Sequence, residues 1–497
     1  MRRDAILDLG FGHQTYESRR TAVSETKAPT QTGAEIRVPA ASSGAGMSQD
    51  VTPSQERLSW GRYPRVEHRG VTAVTSRAQA IDFKGGSSFL PYGQGRSYGD
   101  SCLNADGVLL ETAGLHNLLA FDETTGLLTC ESGVTLAEVL EFAVPRGWFL
   151  PTTPGTKYVS VGGAIGNDIH GKNHHRAGAF GRHVPRFELL RSDGELLTCS
   201  ASENSDLYRA TIGGLGLTGL ILQADVQLKP VPGPFIAMES IRFRSLDEFF
   251  EVSEDADRHF EYTMSFVDCM AAGEGAGRGL FMGGNHAWQK RIPGIDAKPK
   301  QRLALPIDLP EIALNSLSVR AFNWLLYHKQ LAPVITATVP FDPFFYPLDS
   351  IKDWNRMYGR RGFMQHQCVI PHESARQALE AMFNTIKGSG QNSFLAVLKT
   401  FGDLPSPGMM SFPRPGATLA LDFPVRGEAT LKLLDRLDDI AIACGGAVYP
   451  AKDARMSQRT FEASFPRWRE FAEFIDPKFS SSFWRRVTAG LDPRVSS

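Results

Sequence analysis

Residues 151–184, PTTPGTKYVSVGGAIGNDIHGKNHHRAGAFGRHV, set Gly155, Gly162, Gly163, Gly166 and Gly171 among His170, Lys172, His174, His175 and His183. Glycine lets a backbone approach a ligand closely, and titratable donors beside it suit a flat, charged molecule better than a surface turn. Two further loops repeat the pattern. PYGQGRSYGD (91–100) carries Gly93, Gly95 and Gly99, and successive N–H groups in such a turn make a concavity suited to a pyrophosphate. ATIGGLGLTGLIL (210–222) adds Gly213, Gly214, Gly216 and Gly219 before an apolar run. The first loop has GxGxxxG spacing and leads into SCLNADGVLLE, which reads as loop and strand, so a Rossmann turn is excluded. A single glycine turn is commonly only a turn. Three of them with strands between suggest a large dinucleotide wrapped by loops.

Other candidate groups lie further along. Lys399, in FLAVLKTFG, follows alternating apolar residues; it points into a pocket or sits on an edge strand. Gln365 and Gln367, in GFMQHQCVIP, share one strand face by the two-residue period, facing either a pocket or solvent. Lys452, in GGAVYPAKDAR, stands in a strand-to-loop segment where a lysine is usually just exposed. His170 and His174 have the spacing of helical metal ligands, but the surrounding glycines argue against a helix and no carboxylate pair is near, so no metal is expected. His183 reads as structural.

The elements that position these groups follow from local pattern. VLLETAGL (108–115), LLAFDETTGLLTCESG (118–133) and GLILQADVQL (219–228) read as strands, the second folded on a turn at 123–126. LAEVLEFAVPRG (136–147) reads as a helix capped by Thr135 and stopped by Gly147. Helices are expected near SLDEFFEVSEDADRHF (245–260), ESARQALEAMFNTIKGSG (373–390) and EATLKLLDRLDDIAIACGG (428–446), with a helix-then-strand rhythm that fits an α+β arrangement over a sheet.

Composition removes whole classes of function. A chain of 497 residues exceeds one ordinary core, so two domains are expected. The 53 basic and 54 acidic residues nearly cancel, which gives no footprint for nucleic acid. The six cysteines stand singly, against a disulfide framework or zinc site and in favour of a reducing compartment. The charge-free stretch 210–224 holds four glycines and falls short of the roughly 20 apolar residues of a membrane span. Asp4 and Asp8 interrupt any signal peptide, so a cytoplasmic location is expected. Residues 1–50 are polar and read as a disordered extension. The segment 286–302 carries five basic residues, one acid and Trp288. It is either a solvated loop or a lid on an anionic lipid surface, where each basic residue is worth about 1 kcal/mol; Trp324 and Tyr327 in the segment that follows would support the lid.

GxGRSYGD at 93–100, SVGGAIGNDIHGKNHH at 160–175, the FYPLD and WNR patterns at 345–349 and 354–356, and YPAKD at 449–453 resemble the decaprenylphosphoryl-β-D-ribose 2'-oxidase family, from about Trp60 to the C-terminus. The resemblance implies an α+β, two-domain chain: a PCMH-type FAD-binding domain of the vanillyl-alcohol oxidase superfamily at 51–234, an α+β substrate or cap domain over an antiparallel sheet at 235–446, and a segment 447–497 returning to the FAD domain. It assigns cofactor contact to Gly93, Gln94, Gly95, Arg96, Ser97, Tyr98, Pro154, Gly155, Gly162, Gly163, Asn167, His170, Gly171, Gly214, Gly219, Tyr449 and Lys452. Substrate contact falls to Lys172, Gln365, Gln367 and Lys399, and catalysis to Lys452, Lys399, His170 and Tyr98. Related aldonolactone and alditol oxidases attach their flavin through a histidine in GxGHS. Arg96 stands at that position, and a guanidinium with a pKa above about 12 cannot serve as nucleophile, so noncovalent FAD is expected.

The implied reaction is oxidation of the C2 hydroxyl of a polyprenylphosphoryl ribose to a keto sugar, the first half of an epimerisation completed by a separate short-chain reductase. A lipid-linked substrate implies peripheral work at the inner membrane. Such chemistry asks for a held C–H, an acceptor for the alcohol proton and a positive group against the charge of the reduced cofactor, and Lys452 is assigned to the last. Thr418 and Ala420 replace an asparagine and a cysteine of the family, and Phe345 replaces a tyrosine. Residues 262–272 are shortened. These departures touch substrate identity more than reaction type. The alternatives are another FAD-linked sugar, alditol or aldonolactone oxidase, and a flavin-binding protein without catalysis.

Overall fold

Alternation of apolar residues and turn glycines builds three sheets of three or more strands, beside two short strand pairs, in the computed structural model, which describes residues 57–271, 276–289, 291–292, 303–310, 315–394 and 396–491. The expected extension at 1–50 and most of the basic segment at 286–302 lie outside the described residues.

The first sheet is parallel, with Val108–Glu111 between Gly70–Ala73 and Phe89–Tyr92. The second is antiparallel, in the order Leu118–Asp122, Leu127–Glu131, Leu220–Gln227, Arg186–Leu190 and Leu196–Ser200. The expected hairpin turn at 123–126 joins its first two strands, with Gly126 at φ +74°. The expected strand at 108–115 is shorter: pairing ends at Glu111, and Thr112–Gly114 turn as a 3-10 helix that brings Thr112 to the cavity described below. Thr135 caps the helix Leu136–Ala143 in a reciprocal capping box with Glu138, and Gly147 ends the following turn at φ +81°. Such a cap is worth about 1 kcal/mol.

The third sheet is antiparallel and has eight strands. Its order is Val334–Pro340, Phe235–Phe243, Gly279–His286, Tyr262–Val267, Ala396–Phe401, Gly416–Pro424, Phe363–Ile370 and Ala447–Val448. The three long helices expected from the sequence form at Leu246–His259, His372–Ser389 and Glu428–Ala443. They cover one face of this sheet. In strand Phe363–Ile370, His366 bonds Asp438 of the last helix at 3.0 Å and the Cys368 thiol lies 3.9 Å from the Met382 sulfur of the middle one. The two-residue period then sends Gln365 and Gln367 to the opposite face.

The last described stretch runs back to the parallel sheet. Phe89 donates its N–H to Lys478 and accepts from Ser480, and Arg485 bonds Asn104 and Ala105.

Candidate active site

Where the glycine loops meet the face of the large sheet opposite the three long helices there is a cavity of about 330 Å³, within the size range of small-molecule sites. Strand register builds its floor: Gln365 lies opposite Asp422, Gln367 opposite Ala420, Lys399 opposite Thr418, and Val397 opposite Ala420. All but Asp422 line the cavity. Strand Ala396–Phe401 has neighbours on both sides, so Lys399 is not an edge lysine.

Every residue that the resemblance assigned to cofactor, substrate or catalysis lines this cavity except Gly214. A Cβ on Gly214 would collide with the Ala210 carbonyl and press on the Phe471 ring. That glycine serves close packing, and Gly216 at φ +78° faces the cavity in its place. Sequence reasoning also missed Ser101, Ser132 and Gln365's partner Asp422.

His170 is the hub of the floor. Lys399 Nζ lies 3.0 Å from its Nδ1 and donates to the Gly171 carbonyl at 2.8 Å, and the Gln367 amide lies 3.0 Å from Nε2. Gln367 Nε2 also donates to Thr418 Oγ1 at 3.2 Å. Burial first, then the charges of Lys399, His174 and Lys452, hold His170 well below the usual histidine range. It is neutral and fixed. His174 does not share a ligand position with it; its ring packs on Phe401, 4.4 Å between centroids. His183 bonds the Ala177 carbonyl at 2.9 Å, a structural contact.

Three amines face one space. Burial lowers Lys172 to about 8, and lowers Lys399 well below the ordinary lysine value with the charges of Lys172 and Lys452 adding to it. Lys452, whose ammonium lies 3.7 Å above the Tyr98 ring centroid, is brought down to about 7 by burial, opposed by the negative charge of Asp422. Asp422 is itself raised by burial and held by Gln365 Nε2 at 2.5 Å and the Tyr358 hydroxyl at 3.3 Å. Tyr449 donates to the Asn167 carbonyl at 2.9 Å and stacks on Phe412. Phe345 also lines the cavity, while the Tyr346 hydroxyl is engaged at 2.7 Å by Thr153, a residue of the cavity wall.

Two observations test whether a flavin dinucleotide fits the limb of the cavity walled by the glycine loops. Gly155 and Gly163 line it with open space where a Cβ would be, apart from Ser160 Oγ at 3.1 Å from the latter. Four buried polar atoms on the same walls have no protein partner: Ser101 Oγ, Ser132 Oγ, Asn167 Oδ1 and Arg96 Nε. Unpaired buried polar atoms are costly, so this wall is shaped for a polar ligand approaching glycine backbone. The donor set fits FAD.

A family model described as an FAD binding domain matches residues 81–200. With the cavity above and the oxidase relative that follows, this makes the protein an FAD-dependent oxidoreductase. The decaprenylphosphoryl-β-D-ribose oxidase of Mycolicibacterium smegmatis is 35% identical over 433 residues, 84% of this chain and 92% of that protein. An uncharacterized protein of Streptomyces coelicolor is 34% identical over 372 residues, 71% of this chain and 100% of its own length. The human delta(24)-sterol reductase is 28% identical over 151 residues, 29% of each chain. The chain belongs to the decaprenylphosphoryl-β-D-ribose oxidase family. Among the described residues no helix is long and apolar enough to cross a membrane.

Proposed function

We propose that the protein oxidises the C2 hydroxyl of a polyprenylphosphoryl-β-D-ribose to the 2'-keto sugar, as the first half of epimerisation to the arabinose form. The observation that carries the reading is the convergence of Lys452, Lys399, Lys172, His170, Gln365 and Gln367 on one cavity beside a polar, glycine-walled limb. Residues 51–234 hold the cofactor in this account, 235–446 form the substrate side, and 447–497 return with Lys452. When bound, FAD supplies the two-electron acceptor for the hydrogen leaving the sugar carbon.

The chain's own residues do the rest. Gln365 and Gln367 offer amides to sugar hydroxyls, and Lys172 offers charge to the substrate phosphate. Neutral His170, locked by Lys399, orients the sugar without competing for its proton. Lys452 takes that proton: its burial keeps a fraction of the amine neutral near pH 7, and the ammonium formed leaves positive charge in the cavity as the reaction proceeds. The rate should therefore rise with pH around a midpoint near 7. Asp422→Asn removes the negative charge that favours the ammonium, so the midpoint should move to lower pH; a midpoint unmoved or raised in a pH–rate profile would contradict this coupling.

FAD is held noncovalently in this reading, because Arg96 stacks its guanidinium 4.1 Å over the Trp60 ring and offers no nucleophile. Denaturation should release all the yellow colour; colour retained in the precipitate would refute it.

The lipid tail places the enzyme at a membrane surface. Helix Ser316–His328 exposes Leu317, Trp324 and Leu325, and Leu331 follows at 84% exposure; cosedimentation with anionic vesicles tests this contact, and its absence would remove it. A short-chain reductase is the expected partner for the keto product. Incubation with polyprenylphosphoryl ribose and an electron-accepting dye should give a lipid-linked product two hydrogens lighter, reducible by borohydride at C2. Turnover only of free lactones or alditols would favour the alternative sugar oxidase, which the changed floor residues Thr418 and Ala420 would then explain.

A further inference from the structure

The second half of the GRSYGD loop is not spent on the cofactor wall. Tyr98 reaches the cavity, but Asp100 is 3% exposed and faces away from it, toward the C-terminal helix Ser482–Val487. Arg486 of that helix grips Asp100 with a two-pronged contact, Nε to Oδ2 at 2.9 Å and one terminal nitrogen to Oδ1 at 2.8 Å. The same nitrogen reaches Asp453 Oδ2 at 2.9 Å, and the other one bonds the Met456 carbonyl. Asp453 is the residue after Lys452. Its carboxylate also caps the N–H groups of Arg455 and Met456 at 3.1 and 2.8 Å.

Backbone contacts tighten the same seam. The Tyr98 N–H donates to the Ala451 carbonyl at 2.8 Å. Gly99 lies so close to the Lys452 loop that a Cβ on it would collide with the Asp453 carbonyl oxygen. On its far side Arg455 bonds Asp435 and Asp438, each at 2.6 Å. Between these anchors the Lys452 amine rests over Tyr98.

We propose that Gly99, Asp100 and Arg486 form a seat for the loop 449–456, making Arg486 and Asp100 positioning residues that act on the reaction through Lys452. The inference rests on the reading of Lys452 given above. A planar, bidentate guanidinium fixes two buried carboxylates in one orientation, which a lysine cannot do. Loosening the seat displaces the amine and lets water reach it, so both its placement and its lowered proton affinity suffer.

The test compares the full-length FAD-loaded protein with Arg486→Met, Arg486→Lys and Lys452→Ala, reading anaerobic flavin reduction by polyprenylphosphoryl ribose per bound flavin across pH. Misplacement of a reacting group by an ångström can cost about 100-fold. Arg486→Met should lose about ten- to hundredfold in limiting rate with little change in half-saturating substrate, and its pH midpoint should move upward as the amine is rehydrated. Arg486→Lys should fall between. A merely structural role would lower the melting temperature and leave the pH midpoint alone, and that result would overturn the proposal. If neither variant folds, amide exchange on the wild-type holoenzyme decides: the Tyr98 and Met456 N–H groups should exchange as slowly as the core strands, and fast exchange there would overturn the seat. Lys452→Ala separates the two layers. An unimpaired Lys452→Ala refutes the underlying reading, whereas an impaired Lys452→Ala beside a normal Arg486→Met refutes only the seat.

Discussion

Lys452→Ala is expected to slow reduction of the bound flavin by at least about 100-fold, the usual contribution of a positioned proton acceptor. The measurement is anaerobic stopped-flow mixing with polyprenylphosphoryl ribose, with the rate taken per bound flavin so that weaker cofactor retention does not mimic lost chemistry. The expectation rests on three facts about one side chain. Lys452 lines the cavity, its amine is pinned over the Tyr98 ring, and burial depresses its proton affinity while Asp422 partly restores it. A second substitution separates the proton from the charge. Lys452→Arg keeps a cation but cannot accept a proton at working pH; it should be as slow as the alanine variant. Rescue by arginine would mean that charge alone is needed and would move the proton-accepting role elsewhere in the cavity.

The second large effect concerns the cofactor limb. Gly163→Leu should yield folded protein that is colourless after reconstitution with FAD. Gly163 lies in the helix Val161–Gly166, where leucine is favoured over glycine by roughly 0.8 kcal/mol. The nearest protein atom to its added Cβ is Ser160 Oγ at 3.1 Å, so the fold has only to yield by tenths of an ångström. The rest of the side chain must enter the space that the unpaired Ser132 and Asn167 atoms face. Retention of the apo melting temperature with loss of flavin absorbance is the expected pair of readings. A yellow Gly163→Leu protein would show that the cofactor lies along a different wall.

Local pattern carried much of the site, because period and spacing are local properties. Gln365 and Gln367 fall on one face by alternation, and the alternation preceding Lys399 pointed to the pocket it in fact lines. What stayed hidden depends on register between segments far apart in the chain. Asp422 faces Gln365 across a strand pair separated by 57 residues, and nothing in the sequence around Asp422 announces that partner. Ser101 and Ser132 are single loop serines, a residue type too common in turns to signal an unpaired buried hydroxyl. Gly214 shows the opposite error. Its place in a glycine-rich loop suggested ligand contact, while its close approach is to the Ala210 carbonyl. Asp100 ends the first glycine loop and looks like part of a nucleotide wall, yet its partner is an arginine 386 residues later. Sequence pattern named the loops; only the folded chain shows which of their residues wall the cavity and which hold the segment that carries Lys452.

Substitution of deuterium for hydrogen at C2 of polyprenylphosphoryl-β-D-ribose tests the central claim most directly. Mixed without oxygen, the unlabelled substrate should bleach the visible flavin band in one phase, and the C2-deuterated form should do so several-fold more slowly with the same final amplitude. Bleaching that is insensitive to the label, or a flavin that stays oxidised under saturating substrate while a free lactone reduces it, would contradict the assignment of this cavity to that carbon.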